Sequence, residues 1–178
     1  YVFQSIGLYT LAKRRGVRYP GLAWVPIGSN WILGCLADQF DSVSRRKRSA
    51  QRHALLWLPV GMLVAVFVEL IIILPPTFAA LPRFWNDNIY QNALTDTIYH
   101  YLPVILACYF VILGTAITYM IFHYIALYKV YKSCNPDTAI AFLLLSIFVS
   151  VTMPFLIFAG RKEDLGMTPP NGTYERSL

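Results

Sequence analysis

Apolar residues run in long, nearly uninterrupted stretches along this chain, and polar residues gather between them. In the longest stretch, over residues 53–82, Glu69 is the only Asp, Glu, Lys or Arg. The stretch exceeds the ~20 residues that a helix needs to cross the hydrocarbon core of a bilayer. The pattern therefore predicts a transmembrane helix here, and three further apolar stretches predict others.

We expect four transmembrane helices in all, the first of them truncated at the start of the chain. They cover residues 1–12, 55–76, 101–128 and 139–160.

Residues 21–38 are also apolar, but Pro26 and Gly28 interrupt them and a basic cluster lies on each side. If this segment crossed the membrane, one basic cluster would lie outside, against the tendency of Lys and Arg to stay in the cytoplasm. We therefore predict an interfacial or re-entrant helix, with a true span as the alternative. Residues 83–100 are expected to form an external loop.

The predicted fold is all-α. Residues 1–160 would form a single transmembrane domain, a multi-pass helical bundle, followed by a polar tail at 161–178 whose side of the membrane the pattern leaves open. The composition agrees, since 57% of residues are hydrophobic and 13% charged. Soluble domains have ~45–50% apolar and ~25% charged residues.

The net charge of +6 comes largely from two basic clusters, at residues 13–18 and 45–52. Both flank apolar segments, as expected for loops held in the cytoplasm and attracted to anionic lipid head groups. Because no module that reads nucleic acid accompanies the charge, we expect no nucleic-acid partner. The predicted interface anchors and head-group contacts are Trp24, Trp31, Arg14, Arg15, Arg45, Arg46, Lys47 and Arg48.

The order of segments in the first quarter of the chain is one that other proteins also have. A basic turn with glycine, Ala12-Lys13-Arg14-Arg15-Gly16, precedes Leu22-Ala23-Trp24-Val25-Pro26 and then Trp31-Ile32-Leu33-Gly34. This first quarter of the chain resembles small, uncharacterised bacterial multi-pass membrane proteins. The resemblance implies an architecture and a bacterial cytoplasmic membrane, but it implies no catalytic residue.

Glu69 is the most unusual residue of the predicted spans, because a carboxylic acid inside a span costs ~2 kcal/mol or more. We expect Glu69 near the outer third of the membrane, where His100 of the next span could reach it. Such a pair could relay protons or line an ion path. The alternative is a structural carboxyl group with a local hydrogen bond. His123, beside Tyr119 and Tyr124, is a further path candidate or an interfacial histidine.

Small residues recur at helical spacing in the last two predicted spans. Gly114 and Thr118 share one helix face, as do Ser146 and Ser150, with Pro154 one turn later. Such faces let helices approach closely in lipid, so we predict that they pack against other helices. The alternative is a polar stripe in contact with water at a proline kink.

No motif of a hydrolase, a metal site or a phosphate-binding loop is present, and the three cysteines lack CxxC spacing. We therefore expect no catalytic residue, no metal and no cofactor. The predicted function is a non-enzymatic assembly component or accessory subunit of a membrane complex, partnered by a second copy or by another membrane protein. The alternative is a small oligomeric channel or transporter whose polar path includes Glu69.

Overall fold

The computed structural model describes residues 1–44, 50–80 and 87–167, with side chains for all of these except 72–73, 75–80, 87–98 and 100–101. Over this part of the chain the structure consists of helices, turns and irregular segments without a strand. The predicted all-α class is confirmed to that extent.

The α-helices of the described ranges differ widely in length. They are α1 (Val2–Arg14), α2 (Pro26–Ser44), α3 (Gln51–Ala80), α4 (Asp87–Cys134), α5 (Ala139–Phe148) and α6 (Met153–Gly160). Short 3₁₀ helices lie at Pro20–Trp24, Ser150–Thr152 and Leu165–Met167.

The chain divides into two compact units. The described residues within 1–57 and 119–167 form what we call the packed unit, and those within 58–118 form the apolar unit. The core of the packed unit holds fully buried leucines and isoleucines of four helices. They are Leu8, Leu11, Ile32, Leu36, Leu127 and Ile157.

Within the packed unit, α1 lies along α6 and against the 3₁₀ helix Pro20–Trp24. Gly7 makes the first of these contacts close. A Cβ atom at Gly7 would lie 2.9 Å from Ile157 Cγ2 and 3.0 Å from the Phe158 backbone nitrogen. These distances are too short for any side chain, so the absence of one sets the separation of α1 and α6.

The start of α3 is held against α2 by a second close approach. A Cβ atom at Gly34 would lie 2.5 Å from Arg52 Cα. The Asp38 carboxylate accepts hydrogen bonds from the backbone N–H groups of Gln51, at 2.9 Å, and Arg52, at 3.3 Å. These N–H groups belong to the first turn of α3 and have no partner within the helix. Asp38 therefore both caps α3 and fixes it to α2.

The span predicted over 139–160 is not confirmed, since the structure has no single helix over these residues. Helix α5 ends at Phe148, the 3₁₀ helix Ser150–Thr152 follows, and α6 begins at Met153. Pro154 explains the break, since proline has no N–H group and its ring clashes with the carbonyl four residues earlier. At 10 and 8 residues, α5 and α6 are each too short to cross a bilayer at ~1.5 Å per residue.

The residues after α6 return to the end of α4. A Cβ atom at Gly160 would lie 3.5 Å from Cys134 Cβ, and the Asn135 amide donates to a Glu163 carboxylate oxygen at 3.4 Å. Because α5 also begins just after Cys134, α5 and α6 form a hairpin whose two ends are neighbours. The first residues of the tail therefore lie beside the end of α4, which the sequence pattern left open.

The apolar unit contains most of α3 and the first part of α4. Helix α4 begins at Asp87, so the loop predicted over 83–100 is wrong for residues 87–100, while 83–86 lie outside the described residues. In the described ranges two stretches, Gln51–Ile71 and Leu102–Cys134, are long and apolar enough to cross a membrane. They correspond to two of the four predicted spans.

Candidate functional site

One face of α2 forms the floor of a trough in the packed unit. Ile27, Trp31, Cys35 and Gln39 follow one another at intervals of four residues, which places them on the same side of a helix. Residues 15–25 line one wall, and Arg52 and Leu56 of α3 line the other. We call this depression the α2 trough, and at ~1.5 Å per residue its floor is ~18 Å long.

The two ends of the α2 trough differ in chemistry. Around Ile27 the lining is apolar, with Leu22, Val25 and Leu56 enclosing about 310 Å³. Around Gln39 the trough encloses about 440 Å³ and is lined by arginines at positions 15, 18 and 52. Trp31 borders both recesses, so apolar and cationic surfaces meet at its ring.

Neutral polar groups complete the cationic end. The Gln39 amide donates to the Arg15 backbone carbonyl at 3.1 Å, while its buried Oε1 atom has no hydrogen-bond partner among the described residues.

Burial raises the pKa of the Cys35 thiol to about 11, although Arg52 opposes the shift. The thiol is therefore uncharged at neutral pH and is a weak nucleophile.

Arg15 is held by the packed unit itself. Its guanidinium group donates to an Asp164 carboxylate oxygen at 2.7 Å and to Ser133 Oγ at 2.8 Å, and its side chain is 5% exposed. Arg14 also pairs with Asp164, at 2.6 Å. Both predicted head-group contacts thus have an intramolecular partner. The contacts tie the end of α1 to the end of α4 and to the segment after α6.

Arg18 and Arg52 differ from Arg15 in this respect. The Arg18 guanidinium lies over the ring of Tyr19, 5.3 Å from its centroid, and the Arg52 side chain donates to His53 at 3.4 Å. Among the described residues no carboxylate forms a salt bridge with either side chain. Their charges are therefore the ones that the α2 trough can offer to a ligand.

A second ion pair is buried where α2 meets α4. Lys129 Nζ lies 2.5 Å from Asp41 Oδ2, and the two side chains are 11% and 5% exposed. The other carboxylate oxygen of Asp41 has no hydrogen-bond partner in the described part of the chain. The geometry makes this pair a structural link between the two helices.

Of the residues predicted to form a proton or ion path, the structure describes the side chains of Glu69 and His123. Glu69 is half-buried on α3, and no hydrogen bond or ion pair joins it to a described residue. His100 lies in α4 with its side chain outside the described part, so the pair of Glu69 with His100 stays a prediction. His123 packs between the rings of Tyr119, at 5.6 Å, and Tyr124, at 5.9 Å. No group of three or more potential metal ligands gathers among the described residues.

The predicted packing faces have different surroundings. A Cβ atom at Gly114 would meet nothing within 4 Å, and Thr118 is exposed, with its hydroxyl donating to the Gly114 carbonyl at 2.8 Å. Ser146, by contrast, is buried against Tyr131, with their hydroxyls 2.9 Å apart. Ser150 is exposed, and Pro154 is half-buried at the start of α6. The face at Gly114 is thus open within the described part of the chain.

The chain matches no family model, no curated protein and no solved structure. The resemblance to bacterial multi-pass membrane proteins therefore stays a prediction.

The role of the remaining predicted anchors stays a prediction, and the structure gives the positions of two of them. Trp24 is 48% exposed at the end of its 3₁₀ helix, and Trp31 is half-buried at the middle of the α2 trough. Arg45, Arg46, Lys47 and Arg48 lie outside the described residues.

The partners in the ion pairs, Asp41, Lys129 and Asp164, were not predicted from the sequence pattern. Asp41 had a visible signal, because Leu33, Ala37 and Asp41 follow at intervals of four residues and are all buried. A carboxylate on the buried face of a helix requires a partner.

Proposed function

We propose that the protein is an integral membrane protein that acts as a non-enzymatic assembly component of a membrane complex. The surface of the two long helices carries this proposal. In the most apolar windows of Gln51–Ile71 and Leu102–Cys134, only 6% and 0% of residues are buried inside the chain. A core helix of a soluble protein would have its apolar side chains covered. Here lipid or another protein must cover them.

Charge supports one orientation in the membrane. The basic residues at the end of α1 and after α6 lie at one end of the packed unit, where the Arg14 guanidinium donates to the Arg161 carbonyl at 2.8 Å. The last turn of α4, with Lys132, reaches the same end. By the positive-inside rule this end faces the cytoplasm. The hairpin of α5 and α6 supports a return to that side rather than a crossing.

The open face at Gly114 supports the assembly role. Apolar surface does not drive helices together in lipid, so close packing at small residues becomes decisive. The Thr118 hydroxyl is already bonded to the Gly114 carbonyl, so positions 114 and 118 present small residues without an unsatisfied donor. A helix of a second copy or of another membrane protein is the partner that this face fits.

The first test asks where the full chain resides and what it associates with. We expect it to stay in the membrane fraction after alkaline carbonate washing and to give, in native mass spectrometry from nanodiscs, a complex larger than one chain. Release by carbonate would overturn the membrane placement. A monomer retained in the membrane fraction would overturn the assembly role alone.

A pair of variants tests the predicted face. Gly114→Leu places a large side chain on it, whereas Ala116→Leu adds a leucine about 200° around the same helix, at ~100° per residue. We expect Gly114→Leu to reduce the complex at least about tenfold and Ala116→Leu to leave it largely intact. Equal loss in both variants would mean that the Gly114 face is not the contact.

A channel or transporter role for Glu69 is the second candidate, favoured by one observation. Its carboxyl group lies on an apolar helix without a described partner, and a charged carboxylate at the centre of a span costs ~2.5–3.5 kcal/mol. Water or a group from another chain would relieve that cost. In proteoliposomes, loss of ion flux on Glu69→Gln would support a conducting path, whereas unchanged flux in that variant would exclude it.

A further inference from the structure

We propose that the α2 trough binds one anionic phospholipid, with an acyl chain at its apolar end and the phosphate at its cationic end. The proposal rests on the membrane placement proposed above. It differs from general attraction to anionic lipid, because it assigns one lipid to one groove and names the residues that select it.

The shape of the trough fits such a molecule. Its floor is ~18 Å long, and the ~6 Å between Ile27 and Trp31 that is apolar holds the part of an acyl chain nearest the glycerol, while the rest of the chain extends beyond the trough. One end is lined by aliphatic side chains of residues 22, 25, 27 and 56, and the other by arginines. The ligand that complements this surface is itself apolar at one end and anionic at the other.

The charges at the cationic end favour a phosphate group. Arg15 is buried and paired with Asp164, a carboxylate that it shares with Arg14, whereas Arg18 and Arg52 have no described carboxylate in salt-bridge contact. Asp38 is near this end, but both of its carboxylate oxygens accept N–H groups from the first turn of α3. Two guanidinium groups facing one recess can form paired, charge-assisted hydrogen bonds to phosphate oxygens.

The arginines also favour one kind of head group. A choline head group carries a positive charge of its own, which Arg18 and Arg52 repel, whereas a glycerol head group is uncharged and leaves the phosphate with a net negative charge. Phosphatidylglycerol therefore fits this end better than phosphatidylcholine.

Trp31 lies where the two surfaces meet. An indole ring offers an apolar body together with one N–H donor, and such rings favour the level of lipid head groups. Its position between the recesses corresponds to the glycerol backbone of a lipid, where chain and head group join.

The test uses the full chain in nanodiscs that contain equal amounts of phosphatidylglycerol and phosphatidylcholine. After transfer to mild detergent, native mass spectrometry should show one phosphatidylglycerol per chain and no comparable retention of phosphatidylcholine. In the double variant Arg18→Gln with Arg52→Gln, the retained fraction should fall at least about tenfold, since hydrogen bonds from charged donors to phosphate are stronger than those from neutral donors.

A matched control removes the same charge elsewhere. Lys13 and Lys162 are exposed and line neither end of the trough, so Lys13→Gln with Lys162→Gln should retain the lipid. Ile27→Trp fills the apolar end and leaves all charges in place, and it should lower retention as well. Thermal unfolding of each variant shows whether it is folded, and retention is compared between folded variants.

Two outcomes would overturn the lipid site. Equal retention in the arginine and lysine double variants would show that the charge of the trough does not select lipid. Displacement by glycerol phosphate, without effect of Ile27→Trp, would show a soluble phosphate ligand instead. Either result leaves the membrane placement standing if the chain resists carbonate extraction, so the two proposals fail separately.

Discussion

The packed unit and the apolar unit are both helical, but their side chains meet different surroundings. In the packed unit Leu8, Leu36 and Leu127 are completely buried. In the apolar unit Ile71 is 69% and Phe110 is 66% exposed. The packed unit therefore has an internal core, although Phe148 and Val151 on its surface are 82% and 74% exposed, whereas no described hydrophobic residue of the apolar unit is buried. Apolar sequence alone does not determine which of the two results.

Polar contacts account for much of the difference. The packed unit contains the ion pairs of Asp41 with Lys129 and of Arg15 with Asp164, which join segments far apart in the chain. The described side chains of the apolar unit form no ion pair. Charged links specify one arrangement of helices, whereas an exposed apolar helix takes its neighbours from its surroundings. We therefore expect substitutions to affect stability in the packed unit and association in the apolar unit.

The largest effect should come from Asp41→Ala. It leaves the buried Lys129 ammonium without its partner, and breaking a buried pair costs about 3–5 kcal/mol. The free energy of unfolding in detergent, measured by circular dichroism, should fall accordingly. Asp137→Ala, at an exposed position, is the control and should change little.

A double variant separates charge from packing at the same place. Asp41→Leu with Lys129→Met removes both charges, and it should recover most of the lost stability, because buried ion pairs are often replaceable by apolar residues. If Asp41→Ala were no less stable than Asp137→Ala, the buried link would not contribute to the packed unit.

The same substitution should have opposite signs in the two units. Gly7→Ala forces a Cβ atom against Ile157 and the Phe158 backbone, and overpacking of this kind costs about 1–3 kcal/mol. Gly114→Ala meets open space in the chain and removes a glycine from a helix, which should stabilise by about 0.5–1 kcal/mol. Unfolding of the monomer in detergent measures both. Destabilisation by Gly114→Ala would show that this face of α4 is covered.

Cys35 tests the burial of the α2 trough. Its pKa of about 11, against an ordinary value of 9.0, lowers the thiolate fraction at pH 8. Because thiolate is the reactive form, iodoacetamide should modify Cys35 at least about tenfold more slowly than an exposed cysteine. The comparison uses a chain with only Cys35 and a chain whose only cysteine is introduced by Ser44→Cys, an exposed position.

The raised pKa of Cys35 also determines how the stability of the fold changes with pH. The folded state favours the neutral thiol, so its contribution to stability is complete below pH 9.0 and is lost as the pH rises toward about 11. The reaction rate of Cys35 should keep increasing up to about pH 11, whereas the rate of an exposed thiol, which is half ionised at pH 9.0, levels off about one pH unit above that value. Equal rates in the native chains at pH 8 would show that Cys35 is not buried in the trough.

The contrast between the units also explains which features the sequence could predict. Long stretches without charge predicted the two apolar helices directly. The prediction of a loop over 83–100 is wrong for residues 87–100 because polar residues alone do not imply an irregular backbone. Residues 87–102 contain neither glycine nor proline. A helix extends into such a stretch at little cost, since each added residue gains one hydrogen bond.

The candidate site was less accessible from sequence. The spacing of Ile27, Trp31, Cys35 and Gln39 is visible in the chain, but the walls of the trough come from segments on both sides of α2. The partners Asp41 and Lys129 are separated by 88 positions. Local periodicity gives the face on which a residue lies and does not give the residue opposite it.

The smallest effect should come from Tyr131→Phe. The variant removes the hydroxyl that lies 2.9 Å from Ser146, which packs α5 onto the end of α4. Ser146 keeps its hydrogen bond to the Phe142 carbonyl at 2.8 Å, so no buried group loses its last partner. We therefore expect a loss of about 0.5–1.5 kcal/mol in the free energy of unfolding.

Removing a tyrosine hydroxyl from the apolar unit serves as the control. Tyr99 is 75% exposed on α4, and Tyr99→Phe should leave the monomer in detergent unchanged. Ser146→Ala should be more harmful than Tyr131→Phe, because it leaves the buried tyrosine hydroxyl unsatisfied at a cost of ~1–3 kcal/mol. If Tyr99→Phe instead weakened the complex and Tyr131→Phe had no effect on stability, polar contacts would not be what distinguishes the packed unit from the apolar one.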